Sequence, residues 1–239
     1  VAAVFGHRFG RRSLHDALVS KQLSTGTVDA AILSLLGLLT AFTFSSAYTR
    51  YDVRRGLIVD EANDIGTAYL RLDLLPEDRQ PELRRQFREY VNSRSALWQS
   101  LADRDAALAE NQRAEEIQAE IWKSAVAATD GEERGDARKL LLPALNDMID
   151  ITTTRLIVIQ SHPPVVIFWL LGALAMAAAW IIGFGMANSA TPSYPHLVGF
   201  AVTASLALYV ILDIEYPRHG LVTLDTPHEL LTDLAREME

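Results

Sequence analysis

Two long apolar runs stand almost back to back toward the C-terminal end of the chain. They are Val165 to Ala187 and Leu197 to Leu212, and neither holds an Arg, Lys, Asp or Glu. A helix needs about 20 apolar residues to cross the roughly 30 Å hydrocarbon layer. The first run supplies them outright, and the second does so once His196 or Asp213 sits at an interface. Together they read as a transmembrane hairpin. Inside lipid, backbone N–H and C=O groups find no water, so such segments fold as helices that satisfy their own hydrogen bonds. A bilayer is therefore part of this chain's solvent, and function is to be sought in what its helices enclose.

The rest of the sequence is too polar to be all membrane. Of 239 residues 49% are apolar and 22% charged, with mean hydropathy +0.11, a balance that fits a few spans plus a sizeable polar domain. The formal charge of −8 argues against a nucleic-acid partner. With no cysteine, disulfides, thiolate catalysis and zinc–thiolate sites are excluded.

Val28 to Tyr48 is a third span, with Asp29 at its mouth and Ser34, Thr40, Thr43, Ser45 and Ser46 within it. No proline interrupts the chain from Val28 to Leu75, which predicts one long helix leaving the membrane near Arg50 and continuing to Pro76. Beyond the membrane, Ile58, Ala62, Ile65, Tyr69 and Leu72 are spaced 4, 3, 4, 3, a coiled-coil-like seam. Carried back by sevens, it predicts Tyr51, Phe44 and Gly37, then Arg55, Tyr48, Ala41 and Ser34, as a small and aromatic packing face of the span. A second helix is expected from Pro81 to about Ala128, with Leu83, Phe87, Tyr90, Leu97, Leu101, Ile117, Ile121 and Ala125 on one face. A third runs from about Ala137 to Ser161, with Pro143 as a kink or true start, and His162-Pro163-Pro164 ends it. Glu229 to Met238 reads as a short amphipathic helix.

The expected fold is thus all-α and membrane-integral, with three visible spans and Val1 to Gly6 as the tail, or stump, of a longer apolar segment. Residues 1–27 form that stump and a basic loop, 28–48 a span, 49–162 an extramembrane helical insert, 163–213 the hairpin and 214–239 a polar tail. Lys and Arg near span ends decide orientation. They are nearly tied here, with Arg8, Arg11, Arg12 and Lys21 on one side against Arg50, Arg54, Arg55, Arg155 and Arg218 on the other.

The chemistry-bearing pattern is a stripe on the 28–48 helix. Leu36, Thr40, Thr43, Ala47, Arg50 and Arg54 recur at 4, 3, 4, 3, 4, so hydroxyls within the membrane lead into arginines at its edge. Turned to an oligomer axis, with Phe44 as a bulky neighbour, that stripe would line a pore whose arginine rings favour anions. A plainer reading stands beside it: hydroxyls in spans bond their own i−4 carbonyl, and flanking arginines anchor at the interface. Asp29 and Asp213 at span mouths read as headgroup-level residues. Asp60 and Asp64 share a face beside Asn63 and are expected to be solvated or paired with Arg54, Arg55 or Arg71. The sequence offers no His-Glu-x-x-His, no Walker lysine loop and no Gly-x-Ser-x-Gly elbow, so it supports neither an enzyme nor a metal or other cofactor.

Several motifs carry a resemblance. They are Tyr51-Asp-Val-Arg-Arg55, Val59-Asp-Glu-Ala-Asn63, Tyr69-Leu-Arg71, Leu74-Leu-Pro76 and Arg88-Glu-Tyr90. Thr153-Thr-Arg155 leading to His162-Pro-Pro164 and Asp213-Ile-Glu-Tyr-Pro-Arg-His-Gly220 complete the set. Across nearly its whole length the chain resembles the bacterial bestrophin-like domain family. The resemblance marks Glu61, Asn63, Arg71, Arg155, Pro163 and Asp213 as family-motif residues. It implies a four-span protein of the bacterial inner membrane, with a cytoplasmic helical insert. It also implies a likeness to bestrophins, pentameric anion channels whose second span lines the pore. The expectation that follows is a homo-oligomeric channel for small inorganic ions, with the 28–48 helix around its axis. The alternative is a non-conducting membrane scaffold or sensor whose insert binds a partner or ligand. A transporter is disfavoured, because Val165 to Ala187 lacks the polar or broken mid-membrane helices such proteins use.

Overall fold

The computed structural model describes residues 1–16, 25–100, 104–131, 134–186, 193–216, 221–222 and 225–238. Among them there is no strand. Eight α-helices follow in order: α1 (Ala2–Asp16), α2 (Thr25–Leu70), α3 (Gln80–Gln99), α4 (Arg104–Ala128), α5 (Gly135–Gln160), α6 (Val165–Gly185), α7 (Tyr194–Glu215) and α8 (Asp225–Glu237). A 3-10 turn, Arg71–Leu74, closes the end of α2. The helices α2, α6 and α7 carry segments long and apolar enough to cross a membrane.

The chain forms two compact units. One comprises Val1–Tyr51 and His162–Val222, the other Asp52–Ser161 and Thr223–Glu239. Tyr51 and Asp52 are consecutive residues of α2, so that helix contributes to both.

In the first unit, α1 lies against α6 at a crossing that only glycine permits. A Cβ built on Gly6 would run into the Trp180 carbonyl, and one on Gly183 into the Ala3 carbonyl. Small residues let helix backbones approach within lipid, where no hydrophobic drive pushes spans together. Phe9 then meets Trp180 with ring centroids 6.1 Å apart. The expectation of a stump and basic loop over 1–27 thus gives way to a helix through Asp16. Lys21 lies outside the described residues, and so does Arg218 of the 217–220 segment. Ala47, Ile211 and Ile214 form a small apolar core, with Phe168, Tyr51 and Val210 around it.

The second unit has a conventional interior. Ile65, Ala68 and Leu72 of α2 and its turn pack with Leu83, Phe87, Tyr90 and Val91 of α3 and Ile117, Ile121 and Ala125 of α4. Leu141, Leu145 and Met148 of α5 complete this core. The stretch from Pro81 to Ala128, expected as one helix, is two. Gln86 pairs with Ser124, Tyr90 with Gln118 and Ser93 with Glu110, so partners descend in α4 as they climb in α3, and the two are antiparallel. The break begins at Ser100, whose hydroxyl donates to the Leu97 carbonyl at 3.0 Å. Serine competes with the helix ladder in this way, and Asp105 suits the positive end of the helix that follows. No Gly or Pro marks the place, which is why the sequence reads through it. Pro143 falls inside α5, which continues past it.

The C-terminal segment belongs to this second unit. Leu231 and Met238 are buried in its core, and the Met238 carbonyl accepts a hydrogen bond from Arg88 at 3.2 Å.

Candidate functional site

The span of α2 has an inner and an outer face, and they are not the ones a heptad count selects. The buried positions along this helix and its closing turn are Thr43, Ala47, Arg54, Ile58, Glu61, Ile65, Ala68 and Leu72. Their spacing averages close to 3.6, the period of a straight α-helix. A strict seven-residue seam drifts by about 20° per heptad against that period. Extrapolated back from Ile58 and Ala62, it rotates off the packed side, and Phe44, Gly37, Arg55, Tyr48, Ala41 and Ser34 are all exposed.

The hydroxyl–arginine stripe is therefore the chain's own inner face. Leu36 and Thr40 are half-buried, Thr43 is 9% exposed and Ala47 fully enclosed. The Thr43 hydroxyl donates to the Leu39 carbonyl at 2.7 Å, within its own helix. Arg50 donates through Nε and Nη2 to Glu215 Oε2, at 2.9 and 2.7 Å, and through Nη1 to Ser46. Arg54 is buried and donates to the Ser161 carbonyl at 3.0 Å, beyond the last turn of α5. Of the residues expected to face a pore, Phe44 alone is exposed, at 42%. Apart from Phe44, these residues turn toward the chain's own helices.

Opposite the buried line, α2 presents Ser34, Leu38, Ala41, Ser45 and Tyr48, all exposed. These recur at 4, 3, 4, 3 and are mostly small or hydroxyl-bearing. The exposed side of α7 is mixed too, with Gly199, Ala201, Thr203 and Ser205 exposed among aliphatic residues. Val198, Val202 and Leu206, four apart and each 59% exposed, supply the bulky aliphatic part that lipid tails accept.

One end of the first unit holds a buried carboxylate. Glu215, the last residue of α7, is fully enclosed. At a helix C-terminus a negative charge is disfavoured by the dipole, and Arg50 offsets this from one side. On the other, His162 Nδ1 lies 3.1 Å from Glu215 Oε1, and the His162 ring stacks on Tyr216 at 4.8 Å. Nearby Asp213 accepts hydrogen bonds from the backbone N–H groups of Leu221 and Val222 at 3.0–3.1 Å, fixing the chain as it leaves the helix.

The second unit holds its own buried charge. Glu61 is fully enclosed and joins three helices: Arg94 Nε of α3 meets its Oε1 at 2.6 Å, and Arg155 Nη1 of α5 meets its Oε2. Burial lowers the Arg94 pKa and raises that of the neighbouring Tyr90 hydroxyl. Arg71 donates to the Leu140 carbonyl, tying the end of α2 to α5. Asn63 is exposed, and Pro163 sits in the short link between α5 and α6. Glu61, Arg71, Arg155 and Asp213 thus hold helices and a chain exit in place. Among the described residues Asp60 and Asp64 have no arginine partner. Asp64 instead has its pKa raised by partial burial and by the carboxylates of Asp147 and Asp60. Among the described residues no group of His, Asp and Glu is placed to hold a metal ion.

Glu215 and Arg94 were not singled out from sequence, although a signal exists for each. Arg94 stands four after Tyr90 on the stripe Leu83, Phe87, Tyr90, and a charge on an apolar stripe implies a buried partner. Glu215 closes an otherwise uncharged span two residues after Asp213.

These features define a class: an all-α chain in which three apolar helices suited to lipid accompany a helical unit with its own core. A family model described as Bestrophin-like domain matches residues 1–226, and the chain belongs to that family. Neither a curated protein nor a solved structure matches it.

Proposed function

We propose that the chain assembles around an axis as a bestrophin-like membrane channel for small inorganic ions. In this reading the outer face of α2, Ser34, Leu38, Ala41, Ser45 and Tyr48, turns to the shared passage. The observation that carries the reading is the exposed row Ser34, Ala41 and Ser45 on α2. Small residues on the exposed side of a span suit a close neighbouring helix or water. Family membership supports the same reading, as do the outward-facing aliphatic positions of α7, which suit the periphery of such an assembly. Anion preference follows from the likeness to bestrophins. The inner stripe holds no free cation for that purpose, because Arg50 and Arg54 are engaged within the chain.

The test is ion flux in liposomes carrying the purified chain, with chloride and potassium gradients measured separately. Chloride flux well above that of empty vesicles is expected. Flux equal to that of empty vesicles for both ions contradicts the channel and leaves the scaffold reading.

A further inference from the structure

Just past the span, α2 carries an acid and a base that the chain itself does not use. Asp52 and Arg55 are both exposed, and neither has an ion pair or hydrogen bond among the described residues. Every other arginine of the described part of α2 is engaged: Arg50 with Glu215 and Arg54 with the Ser161 carbonyl. The unused pair also sits on the outer face. Tyr48, 54% exposed, and Val59, 37% exposed, mark the middle of that face on either side of the two charges. At about 100° per residue, Asp52 and Arg55 fall about 60° apart, one on each side of the line from Tyr48 to Val59.

That arrangement is complementary to a copy of itself under rotation. When identical helices surround one axis, the left flank of each meets the right flank of the next, a heterologous contact between two different surface patches. One flank here bears a carboxylate and the other a guanidinium. Arg55 lies about 4.5 Å further along the helix than Asp52, a gap its long side chain spans. Arginine and carboxylate also match as a bidentate pair. We infer that Asp52 of each copy pairs with Arg55 of the next, forming a closed ring of ion pairs that sets the register of α2 around the axis. The inference rests on the proposed assembly and adds the contact that orders it. A ring at this height leaves the span's small residues free to face the passage.

Charge reversal tests it in the full chain. Asp52→Arg and Arg55→Asp are made singly and together, and the oligomer is weighed by native mass spectrometry of detergent-solubilised protein. Each single reversal places like charges at every contact, so the oligomer fraction falls at least fivefold, and the double reversal restores it. Both single variants assembling like the wild type overturn the inference, as does a double variant no better than the worse single one. A wild-type chain that is monomeric overturns the assembly itself, a distinguishable outcome.

A second measurement guards against misfolding of the charge variants. The chain has no cysteine, so differently tagged Asp52→Cys and Arg55→Cys chains are co-expressed and treated with a short bis-maleimide. Cross-links joining the two tags are expected, and a wild-type oligomer whose mixed form yields none contradicts the pairing.

Discussion

The two units of this chain differ in what they show to their surroundings, although each encloses a carboxylate, Glu61 in one and Glu215 in the other. In the unit built from Asp52–Ser161 and Thr223–Glu239, the largest enclosed groups are Tyr90, Phe87, Ile65, Ile121, Leu145 and Met148. In the unit built from Val1–Tyr51 and His162–Val222, Trp169, Val198, Val202 and Leu206 stand outside, while a carboxylate, Glu215, is fully enclosed. The difference teaches which solvent each unit folds in. Water drives apolar groups inward in the one. In the other, lipid removes that drive and leaves close backbone approach and buried polar pairs to hold the spans.

The largest effects are expected where the water-solvated unit buries charge and bulk. Glu61→Leu leaves Arg94 and Arg155 enclosed without their shared anion, at a cost of about 3–5 kcal/mol. Phe87→Ala costs a similar amount, about 3–5 kcal/mol, through the cavity it opens. Urea unfolding of the full chain in micelles, followed by circular dichroism, measures both. Leu206→Ala, a truncation on the outer side of α7, is expected to stay within about 0.5 kcal/mol in the same assay. A loss as large as that of Phe87→Ala would mean that α7 is packed against protein there.

The next effect reverses the comparison. Leu206→Asp places a charge in mid-span and costs about 2.5–3.5 kcal/mol of insertion, read as the membrane-integrated fraction after expression. Leu140→Asp, at an exposed leucine of the second unit, leaves that fraction unchanged. Gly183→Leu comes third. The added side chain collides with the Ala3 backbone, and the forced separation of α1 from α6 costs about 1–3 kcal/mol, seen as a lower thermal midpoint.

The smallest effect is electrostatic. Asp64 has its carboxyl pKa raised in the fold, chiefly by partial burial and then by Asp147 and Asp60. Its charged form is therefore disfavoured by folding. The penalty is absent below the pKa of the unfolded chain and complete above that of the folded one. Asp64→Asn is thus expected to stabilise the protein at neutral pH by no more than a few tenths of a kcal/mol after solvent screening. The gain fades as pH falls through the carboxylate range. Unfolding midpoints of the two proteins at pH 7.5 and pH 4 measure it.

Much of this was legible in the sequence, for physical reasons. Uncharged runs of span length and the proline-free stretch into α2 announce helices whatever their neighbours. What periodicity could not settle was direction. Leu36, Thr40, Thr43 and Ala47 recur as regularly on an inner face as on a pore wall, and only the Glu215 carboxylate meeting Arg50 decides between them. The acid on α7 and the base on α2 are 165 residues apart, a separation no local pattern spans. The break after Ser100 escaped for another reason, since no Gly or Pro marks it.

In the proposed assembly the outer face of α2, and not its hydroxyl–arginine stripe, borders an ion passage. Because the chain lacks cysteine, single cysteines at Ala41, Ser45 and Thr43 can be probed with a charged thiol reagent during liposome flux. The account predicts that Ala41→Cys and Ser45→Cys channels lose most of their flux on labelling, whereas Thr43→Cys channels do not respond. Block at Thr43→Cys with Ala41→Cys and Ser45→Cys unaffected would contradict it.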